Sequence, residues 1–287
     1  METPDGAFDI SRVTWEHGKF KPWQITKAPS PLRALSLDEG EELLVGEVGG
    51  QPVGFLLREV TYHHVVQGVV GGSPFMITFC AVCNAGVVTS PVINGREHRF
   101  REVGVYNGQM IFSDDETGTL WNHLTGQALH GPLLGTSLPV STLGFTTVAV
   151  ARQATLELPV FVSGRHRLMQ RVMRFVIRWV LGAGGRQWLP PHFVRSLPET
   201  IDERQPRMTM GLAVVVGKDA VFYPMAVVKA GGLARFGERT LQLAMEGPYP
   251  TATSADGSRP FQLFTRWYAF ILTYPHGRLG QATAQVT

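Results

Sequence analysis

The chain has 287 residues, of which 44% are apolar and 17% charged. This apolar fraction is enough for a hydrophobic core and excludes a disordered protein, and the length allows one large domain or two of ordinary size. Lys and Arg number 26 against 23 Asp and Glu, so the formal net charge of +3 does not by itself support binding to nucleic acid. We expect no nucleic-acid partner.

The N-terminus carries no recognisable targeting signal. Its first residues, M-E-T-P-D-G, are acidic and lack the basic and apolar regions of a signal peptide. The sequence also contains no run of about 18 uncharged apolar residues, which argues against a membrane-spanning helix. We therefore expect a cytoplasmic protein whose two cysteines are reduced.

Glycine and proline divide the chain into short segments. The 32 glycines and 19 prolines, with short β-branched runs between them, predict many short strands and a minority of helix. Residues 1–38 contain several prolines and are predicted to form an irregular N-terminal arm. Residues 43–57, with Gly49-Gly50 in the middle, predict a β-hairpin.

Two further strands are predicted before the cysteines, over residues 60–66 and 75–79. The first would contain His63 and His64. Because neighbouring side chains on a strand point to opposite faces, only one of these two histidines could then face a common site.

The only two cysteines, Cys80 and Cys83, lie in the segment T-F-C-A-V-C-N-A-G. This spacing is compatible with metal chelation, with a redox disulfide or with reduced thiols in a core. The second cysteine is followed by Asn84, Gly86 and two valines, a pattern typical of a tight turn into another strand. A redox motif would instead start a helix. A turn that directs both thiolates to one side is typical of a metal knuckle.

The densest polar stretch follows a predicted turn at Asn94-Gly95 and a predicted strand over residues 100–105. It runs from residue 106 to residue 132 and is rich in Gly, Asp, Thr and His, which is typical of loops that carry functional groups. His123 could be a metal ligand or an acid/base group, and Asp115 a ligand or a group that orients a histidine; packing and turn roles are equally compatible. Asp114 is assigned to closing a turn.

The two ends of the chain show an internal similarity. The pattern of apolar residues and turns in residues 48–60 recurs in residues 216–228, and weaker matches follow after a two-residue slip. The sequence therefore predicts a mainly β, α+β protein of two related β-rich halves joined by a helical connector. The predicted organisation is an arm over 1–38, a first half over 39–160, a connector or lid over 161–205 and a second half over 206–287.

Residues 166–181 of the predicted connector form an amphipathic pattern. Arg167, Arg171, Arg174 and Arg178 share one stripe of the predicted helix, and most of its remaining surface is apolar. Such a helix suits a peripheral membrane contact, a contact in a homo-oligomer or a lid. A buried inter-domain helix with a solvated basic edge remains the alternative.

Four segments of the chain resemble the bacterial family grouped as domain of unknown function 3179. They are Y-H-H-V-V, G-G-S-P-F-M-I-T-F-C-A-V-C-N-A-G, D-E-T-G-T-L-W-N-H-L-T-G-Q-A and G-P-L-L-G-T-S-L-P. The corresponding family patterns are His-(Glu/His), G-G-x-P-x-x-V-T-(Y/F)-C-P-L-C-(N/G), D-R-x-T-x-S-x-W-x-(Q/H)-x-T-G-x-A and G-P-L-x-G-x-x-L. The likeness spans roughly residues 20–160 and, more weakly, 200–275.

The resemblance assigns weight to a set of polar and structural positions without implying an activity. These positions are His63, Cys80, Cys83, Asp115, Thr117, Trp121, His123, Thr125 and Gly126. The chain departs from the family pattern in three places. It has C-A-V-C in place of C-P-L-C, Gln67-Gly68 in place of an Asn-Asp pair, and Glu116 where an arginine is usual.

Together these features predict a small-molecule enzyme with a thiolate and imidazole metal centre. Cys80 and Cys83 are the expected ligands, His63 or His123 would complete the set, and Asp115 would support a ligand. These ligand types select zinc or copper, and an incomplete set leaves a position for water or substrate.

A metal-free enzyme with a cysteine nucleophile and His123 as its base is one alternative. A non-catalytic binding or scaffold protein with buried cysteines is the other. No nucleotide cofactor is expected, because the sequence has no phosphate-binding glycine loop or nucleotide fingerprint.

Overall fold

A computed structural model describes residues 8–16, 18–164, 168–172, 175–176 and 188–282. Its strands up to residue 161 are β1 Thr14–Trp15, β2 Trp23–Gln24, β3 Ser30–Pro31, β4 Glu42–Val48, β5 Gln51–Leu56, β6 Val65–Val70, β7 Ser73–Cys80, β8 Ala85–Thr89, β9 Val92–Ile93, β10 Arg96–Glu97, β11 Phe100–Tyr106, β12 Gln109–Asp114, β13 Leu120–Asn122, β14 Ala128–His130, β15 Val140–Thr147 and β16 Pro159–Phe161. The later strands are β17 Met210–Val216, β18 Asp219–Pro224, β19 Gly232–Phe236, β20 Arg239–Glu246, β21 Tyr249–Ser254, β22 Phe261–Arg266 and β23 Arg278–Leu279.

Helices are short and fewer than strands among the described residues. The α-helices are α1 Leu57–His63, α2 Val148–Ala154, α3 Pro191–Arg195, α4 Met225–Ala230 and α5 Trp267–Thr273, and short 3₁₀ helices cover Ile10–Arg12 and Leu32–Ala34. Residues 168–172 and 175–176 are also helical. The protein is thus α+β and mainly β, as predicted from the sequence. Nowhere in the described ranges is a helix long and apolar enough to cross a bilayer.

The first part of the chain forms one large sheet and one smaller sheet. The large sheet has the strand order β2-β6-β7-β8-β15-β4-β5-β16-β3, and the smaller one has the order β1-β11-β12-β13-β14. Strand β15 joins two parts of the large sheet, because residues 140–142 pair with β8 and residues 143–147 pair with β4. The polar stretch predicted as functional loops therefore lies on the smaller sheet, which packs against the large one.

The last part of the chain forms a four-stranded sheet, β22-β17-β18-β23, and a three-stranded sheet, β19-β20-β21. In the four-stranded sheet, β17 pairs antiparallel with its two neighbours and β23 pairs parallel with β18. Strands β15, β4, β5 and β16 have the same order and the same pairing directions in the large sheet. Helices α1 and α4 each follow the central hairpin of their part of the chain.

Most of the predicted turns and strands before residue 106 are present. Gly49 and Gly50 both have positive φ in the β4–β5 hairpin, and Asn94 and Gly95 have positive φ between β9 and β10. The strands predicted over residues 75–79 and 100–105 correspond to β7 and β11. Within these segments the alternation of apolar and turn residues was sufficient to locate the elements.

The strand predicted over residues 60–66 is wrong in its first half. Residues 57–63 form helix α1, and the strand β6 begins only at Val65. The helix is buried on almost every side, with Leu57 and Val60 in the core and the buried Glu59 carboxylate accepting the Ser163 N–H at 2.7 Å. The segment L-R-E-V-T-Y-H buries polar and apolar residues on nearly all sides, so its sequence has no helical periodicity and cannot be distinguished from a strand.

The predicted helix over residues 166–181 lies largely outside the described residues, as do Arg167, Arg174 and Arg178 of its basic stripe. The described helical part contains a group of exposed apolar side chains. They are Leu168, Met169, Val172, Phe175 and Val176. Gln170 is fully buried and donates to Ser163 Oγ at 3.4 Å.

Candidate thiolate and imidazole site

Cys80 and Cys83 flank a tight turn between β7 and β8. Cys80 is the last residue of β7 and lies opposite Ala85, the first residue of β8. Asn84 has φ of 58°, the left-handed conformation predicted for the residue after the second cysteine. A Cβ atom at Gly86 would lie 2.1 Å from the Thr78 carbonyl oxygen, so the close pairing of the two strands requires glycine there. The predicted knuckle-like turn is confirmed, and no helix follows it.

His123 meets the cysteines from the second sheet. It follows β13 directly, and its carbonyl oxygen accepts a hydrogen bond from Thr78 Oγ1 at 2.9 Å. Its Nε2 lies 3.6 Å from Cys83 Sγ, and the Cys83 N–H donates to Cys80 Sγ at 3.4 Å. The two sulfurs and one imidazole nitrogen all lie within 4.8 Å of one another. The chain thus brings three metal-ligand atoms together from segments forty residues apart in sequence.

The cluster is buried, and its electrostatics favour one thiolate. Cys80, Cys83 and His123 are each at most 1% exposed, and neither cysteine forms a disulfide. Burial raises the pKa of Cys80, but hydrogen bonds from the Cys83 thiol and from the backbone N–H groups of Cys83, Met110 and Val82 outweigh it and place this pKa below its ordinary value. Burial and the neighbouring Cys80 raise the pKa of Cys83. Cys80 is therefore the thiol that ionises first.

His123 is neutral at physiological pH. Burial, followed by the charge of His64, lowers the pKa of His123 to about 3. A neutral imidazole has the lone pair that a metal ligand or a general base needs. The other ring nitrogen, Nδ1, is buried and has no hydrogen-bond partner among the described residues.

The geometry of the cluster fits a tetrahedral metal ion. A thiolate about 2.3 Å and an imidazole about 2.0–2.1 Å from zinc lie about 3.6 Å apart when the coordination is tetrahedral. The distance from Cys83 Sγ to His123 Nε2 is 3.6 Å. Cys80 would be the third ligand, and three protein ligands would leave the fourth position to a water molecule or a substrate. The residues therefore fit the proposed group in both type and spacing.

The second half of the chain holds the turn that carries the cysteines. Thr265 Oγ1 donates to the Cys83 carbonyl at 2.9 Å, and Arg266 Nε donates to the Val82 carbonyl at 2.9 Å. The Asn84 side-chain amide donates to the Phe264 carbonyl at 3.0 Å. Strand β22 thus fixes the turn from outside, a role that no sequence motif indicated.

His63 lies outside the cluster. Its Nδ1 is 2.7 Å from the carbonyl oxygen of Lys21, and its ring packs near Trp23 and Tyr62. Because His63 ends helix α1, the argument that alternation along a strand selects one of the two histidines does not apply. The structure brings His123 to the cysteines and leaves His63 against the N-terminal segment.

Asp115 also lies away from the cluster, on the surface, where its carboxylate pairs with Arg101. The neighbouring Asp114 is fully buried and accepts hydrogen bonds from the Thr117 N–H at 2.8 Å and Trp121 Nε1 at 3.0 Å. In the family pattern the aspartate precedes the threonine by three positions and the tryptophan by seven, which is the spacing of Asp114. The sequence comparison was therefore shifted by one residue, and Asp115 occupies the position where arginine is usual.

A second group of candidate ligand atoms, in His98, Asp114 and Glu116, has a structural explanation. Its carboxylate at Asp114 is already engaged by Thr117 and Trp121 and lies 3.1 Å from His98 Nδ1. Trp121 packs with Phe100 and Phe112 in the core between the sheets. These hydrogen bonds fix the polar loop.

Two buried polar residues lie near the thiols: Glu102, which the sequence did not single out, and His64, which it offered only as the alternative to His63. His64 has φ of 62° where α1 ends, its ring stacks on Phe20 with centroids 3.8 Å apart, and its buried Nδ1 has no partner in the described part of the chain. Glu102 is 3% exposed, and its Oε2 likewise has no partner there. Burial, followed by the charge of Glu16, raises the pKa of Glu102 to about 8, with Cys80 a further contributor. For Glu102, the only signal in the sequence was an acidic residue within the strand predicted over residues 100–105.

The fold and the site define a mainly β, α+β protein with a buried cluster of two cysteines and one histidine. The family described as protein of unknown function (DUF3179) matches residues 18–246, most of the chain, and the chain belongs to that family. No curated protein matches the sequence, and no solved structure does.

Proposed function

We propose that Cys80, Cys83 and His123 bind a metal ion at the catalytic centre of an enzyme that acts on a small molecule. The observation that carries this proposal is the convergence of two sulfurs and one imidazole nitrogen within 4.8 Å in a buried setting. Two thiolates with one imidazole select zinc or copper over magnesium or calcium, which prefer oxygen ligands. The fourth coordination position would be available to water or substrate, as a catalytic metal requires.

A metal-free cysteine nucleophile is the second candidate, and the environment of Cys80 favours it. Three backbone N–H groups and the Cys83 thiol stabilise the Cys80 thiolate. His123 Nε2 lies 3.6 Å from Cys83 Sγ, so in this candidate His123 would be the base beside the two thiols. The remaining possibility is that both thiols only fill the core, where Cys83 is fully buried.

Elemental analysis of untagged protein separates these candidates. We expect one zinc or copper ion per chain, lost in Cys83→Ser and His123→Gln. His63→Gln is the matched control, because His63 is a buried histidine outside the cluster, and it should retain the metal. Metal-free wild-type protein with one fast-reacting thiol would favour the nucleophile, and two slowly reacting thiols would favour buried structural cysteines.

We also infer that the two halves of the chain are copies of one unit. The shared strand order, the parallel final strand and the helix after each hairpin support this inference. In this inference the halves are the predicted ranges 39–160 and 206–287, with the connector over 161–205 between them. Only the first copy carries the thiols, and the second supplies the bonds that fix their turn.

The exposed apolar side chains around residues 168–176 support a contact with a membrane surface. Leu168 is 77% exposed and Phe175 71% exposed, whereas a surface helix of a globular protein turns such residues inward. The four arginines spaced along residues 167–178 of the sequence would attract anionic lipid. A homo-oligomer contact through the same residues is the alternative.

The proposed compartment is the cytoplasm. A thiolate site requires reduced cysteines, and the cytoplasm keeps thiols reduced. Both cysteines are free in the structure.

A further inference from the structure

A cavity of about 690 Å³ is lined in part by Met110, which also packs in the buried cluster that contains Cys80 and Cys83. Strands β12 to β14 form one wall, and residues 198–202 with the C-terminal end of α5 form the other. Cavities of 300–1,000 Å³ between two parts of a chain are typical binding sites for small molecules. Neither the cysteine cluster nor the family match accounts for this space.

The wall of the cavity combines two oppositely charged residues, Arg12 and Asp202, with amide groups and apolar side chains, and the Asp202 carboxylate accepts hydrogen bonds from Arg204 Nε. The cation is Arg12, whose guanidinium binds Asn107 Oδ1 and the Ser196 carbonyl and lies 4.9 Å from the Tyr106 ring centre. Its Nε is buried and has no partner in the described ranges of the chain. Amides of Gln109 and Asn122 and the apolar Ile111 and Leu272 line the same space. A molecule with an apolar body and a carboxylate or phosphate at Arg12 would match this wall.

Met110 is one of two residues that connect the cavity with the cysteines, and it is the more deeply buried. It lines the cavity, packs in the same buried cluster as Cys80 and Cys83, and is 2% exposed. Its backbone N–H is also among the donors to the Cys80 thiolate. Because methionine is unbranched and has three rotatable side-chain bonds, it can change rotamer without disturbing its strand.

We propose that this cavity is the ligand pocket of the Cys80–Cys83–His123 site, that its ligand is a small anion with an apolar body, and that the Met110 side chain is the gate between ligand and thiols. The inference rests on the proposed function in taking the cysteine cluster as the reacting centre, but it does not require that a metal is bound there. Leu272 lines the same cavity and also packs against the cysteine cluster, so the Met110 and Leu272 side chains each contact both the cavity and the cluster.

Alkylation of the full-length protein, dialysed against a chelator, tests the gate. The Cys80 thiolate displaces iodide from iodoacetate, forming a C–S bond, so the rate measures access to the sulfur. Met110→Ala should accelerate carboxymethylation about tenfold or more relative to the wild type. Met208→Ala is the matched control, because Met208 packs in the same cluster but does not line the cavity. Equal acceleration in the two variants would overturn the proposal.

Two further variants keep the test decisive if Met110→Ala is unstable. Gln127→Trp, at an exposed position that lines the cavity, should fill the cavity. The rate of alkylation of the cysteines in this variant should be lower than in the wild-type protein. Arg12→Gln should remove a preference for iodoacetate over the neutral iodoacetamide. An unchanged rate in the first or an unchanged preference in the second would contradict the assigned pocket. Metal content is measured separately, so loss of the metal proposal and loss of the pocket proposal are distinguishable.

Discussion

Asp114 is the residue on which the polar loop depends. Its carboxylate accepts hydrogen bonds from the Thr117 N–H and Oγ1 and from Trp121 Nε1, and it lies 3.1 Å from His98 Nδ1. Burial raises the pKa of Asp114, but the hydrogen bonds from Trp121, Thr117 and His98 outweigh burial and hold it below its ordinary value. The loop that ends at His123 is therefore built around a buried charge.

Asp114→Ala should lower the free energy of unfolding by about 3 kcal/mol, because it leaves Trp121 Nε1 and the Thr117 N–H without their acceptor. Asp115→Ala, the adjacent control, removes only a surface ion pair with Arg101 and should cost less than about 1 kcal/mol. Urea unfolding of both variants makes the comparison. Equal losses would contradict the assignment of Asp114 as the loop's anchor.

Glu102 makes the free energy of unfolding depend on pH, in the sense opposite to a carboxylate whose pKa is lowered by folding, such as Asp114. Its pKa is about 8 in the folded protein against an ordinary value of 4.5. Between these values the folded state binds more protons than the unfolded state, so the free energy of unfolding falls as the pH rises from 4.5 to 8.

Glu102→Gln should remove this fall, because glutamine keeps the shape of the side chain without its charge. The variant should gain up to roughly 5 kcal/mol over the wild type near pH 9 and almost nothing near pH 4. Urea unfolding across this range measures the effect, and Glu47→Gln at an exposed position of β4 is the control. A wild-type stability that does not fall between these pH values would refute the assignment.

At the scale of elements, helix α1 illustrates where local pattern fails. Its segment resembles a strand because it mixes β-branched and polar residues without helical periodicity, yet its contacts with β4, β5 and β7 bury it as a helix. The turn between β7 and β8 was predictable because Asn84 and Gly86 each meet a local backbone requirement. A turn that depends on the backbone requirements of its own residues can be predicted from sequence. A helix that depends on its tertiary contacts cannot.

The exposed apolar side chains of the helical segment around residues 168–176 lead to a prediction about membrane binding. The protein should sediment with vesicles that contain anionic lipid, since each arginine at the surface adds roughly 1 kcal/mol of attraction. Replacing Leu168, Val172 and Phe175 by serine should abolish binding. Leu134→Ser, at another exposed apolar position, should not. Lipid-independent dimerisation in light scattering, lost in the triple variant, would assign the face to an oligomer instead.

At the scale of the whole molecule, the second half holds the cysteine turn in place, and none of its described residues belongs to the Cys80–Cys83–His123 cluster. Thr265 reaches the Cys83 carbonyl across 182 residues of sequence, and Arg266 reaches that of Val82. Hydrogen bonds from groups outside a metal site orient its ligands, and their loss weakens metal binding about 10–100-fold.

Thr265→Val should therefore weaken zinc binding about tenfold while all three ligands remain. Thr251→Val is the matched control, because Thr251 is also buried but its hydroxyl has no partner among the residues described. Competition with a fluorescent zinc chelator measures both affinities. Equal affinity in the two variants would show that the bond across the halves does not position the site.

The sequence by itself determined the β-rich class, the cysteine turn with Asn84, and His123 as a candidate partner. These follow from alternation, from φ requirements and from residue types, all of which act over a few positions. Only the tertiary structure decided between His63 and His123 and separated the buried Asp114 from the exposed Asp115. It also buried Glu102 and packed Met110, which lines the cavity, in one cluster with the cysteines. Those outcomes depend on which strands pair and which faces of the sheets meet. Strand pairing is set by the burial of apolar surface over the whole chain, which cannot be calculated from a short segment of sequence.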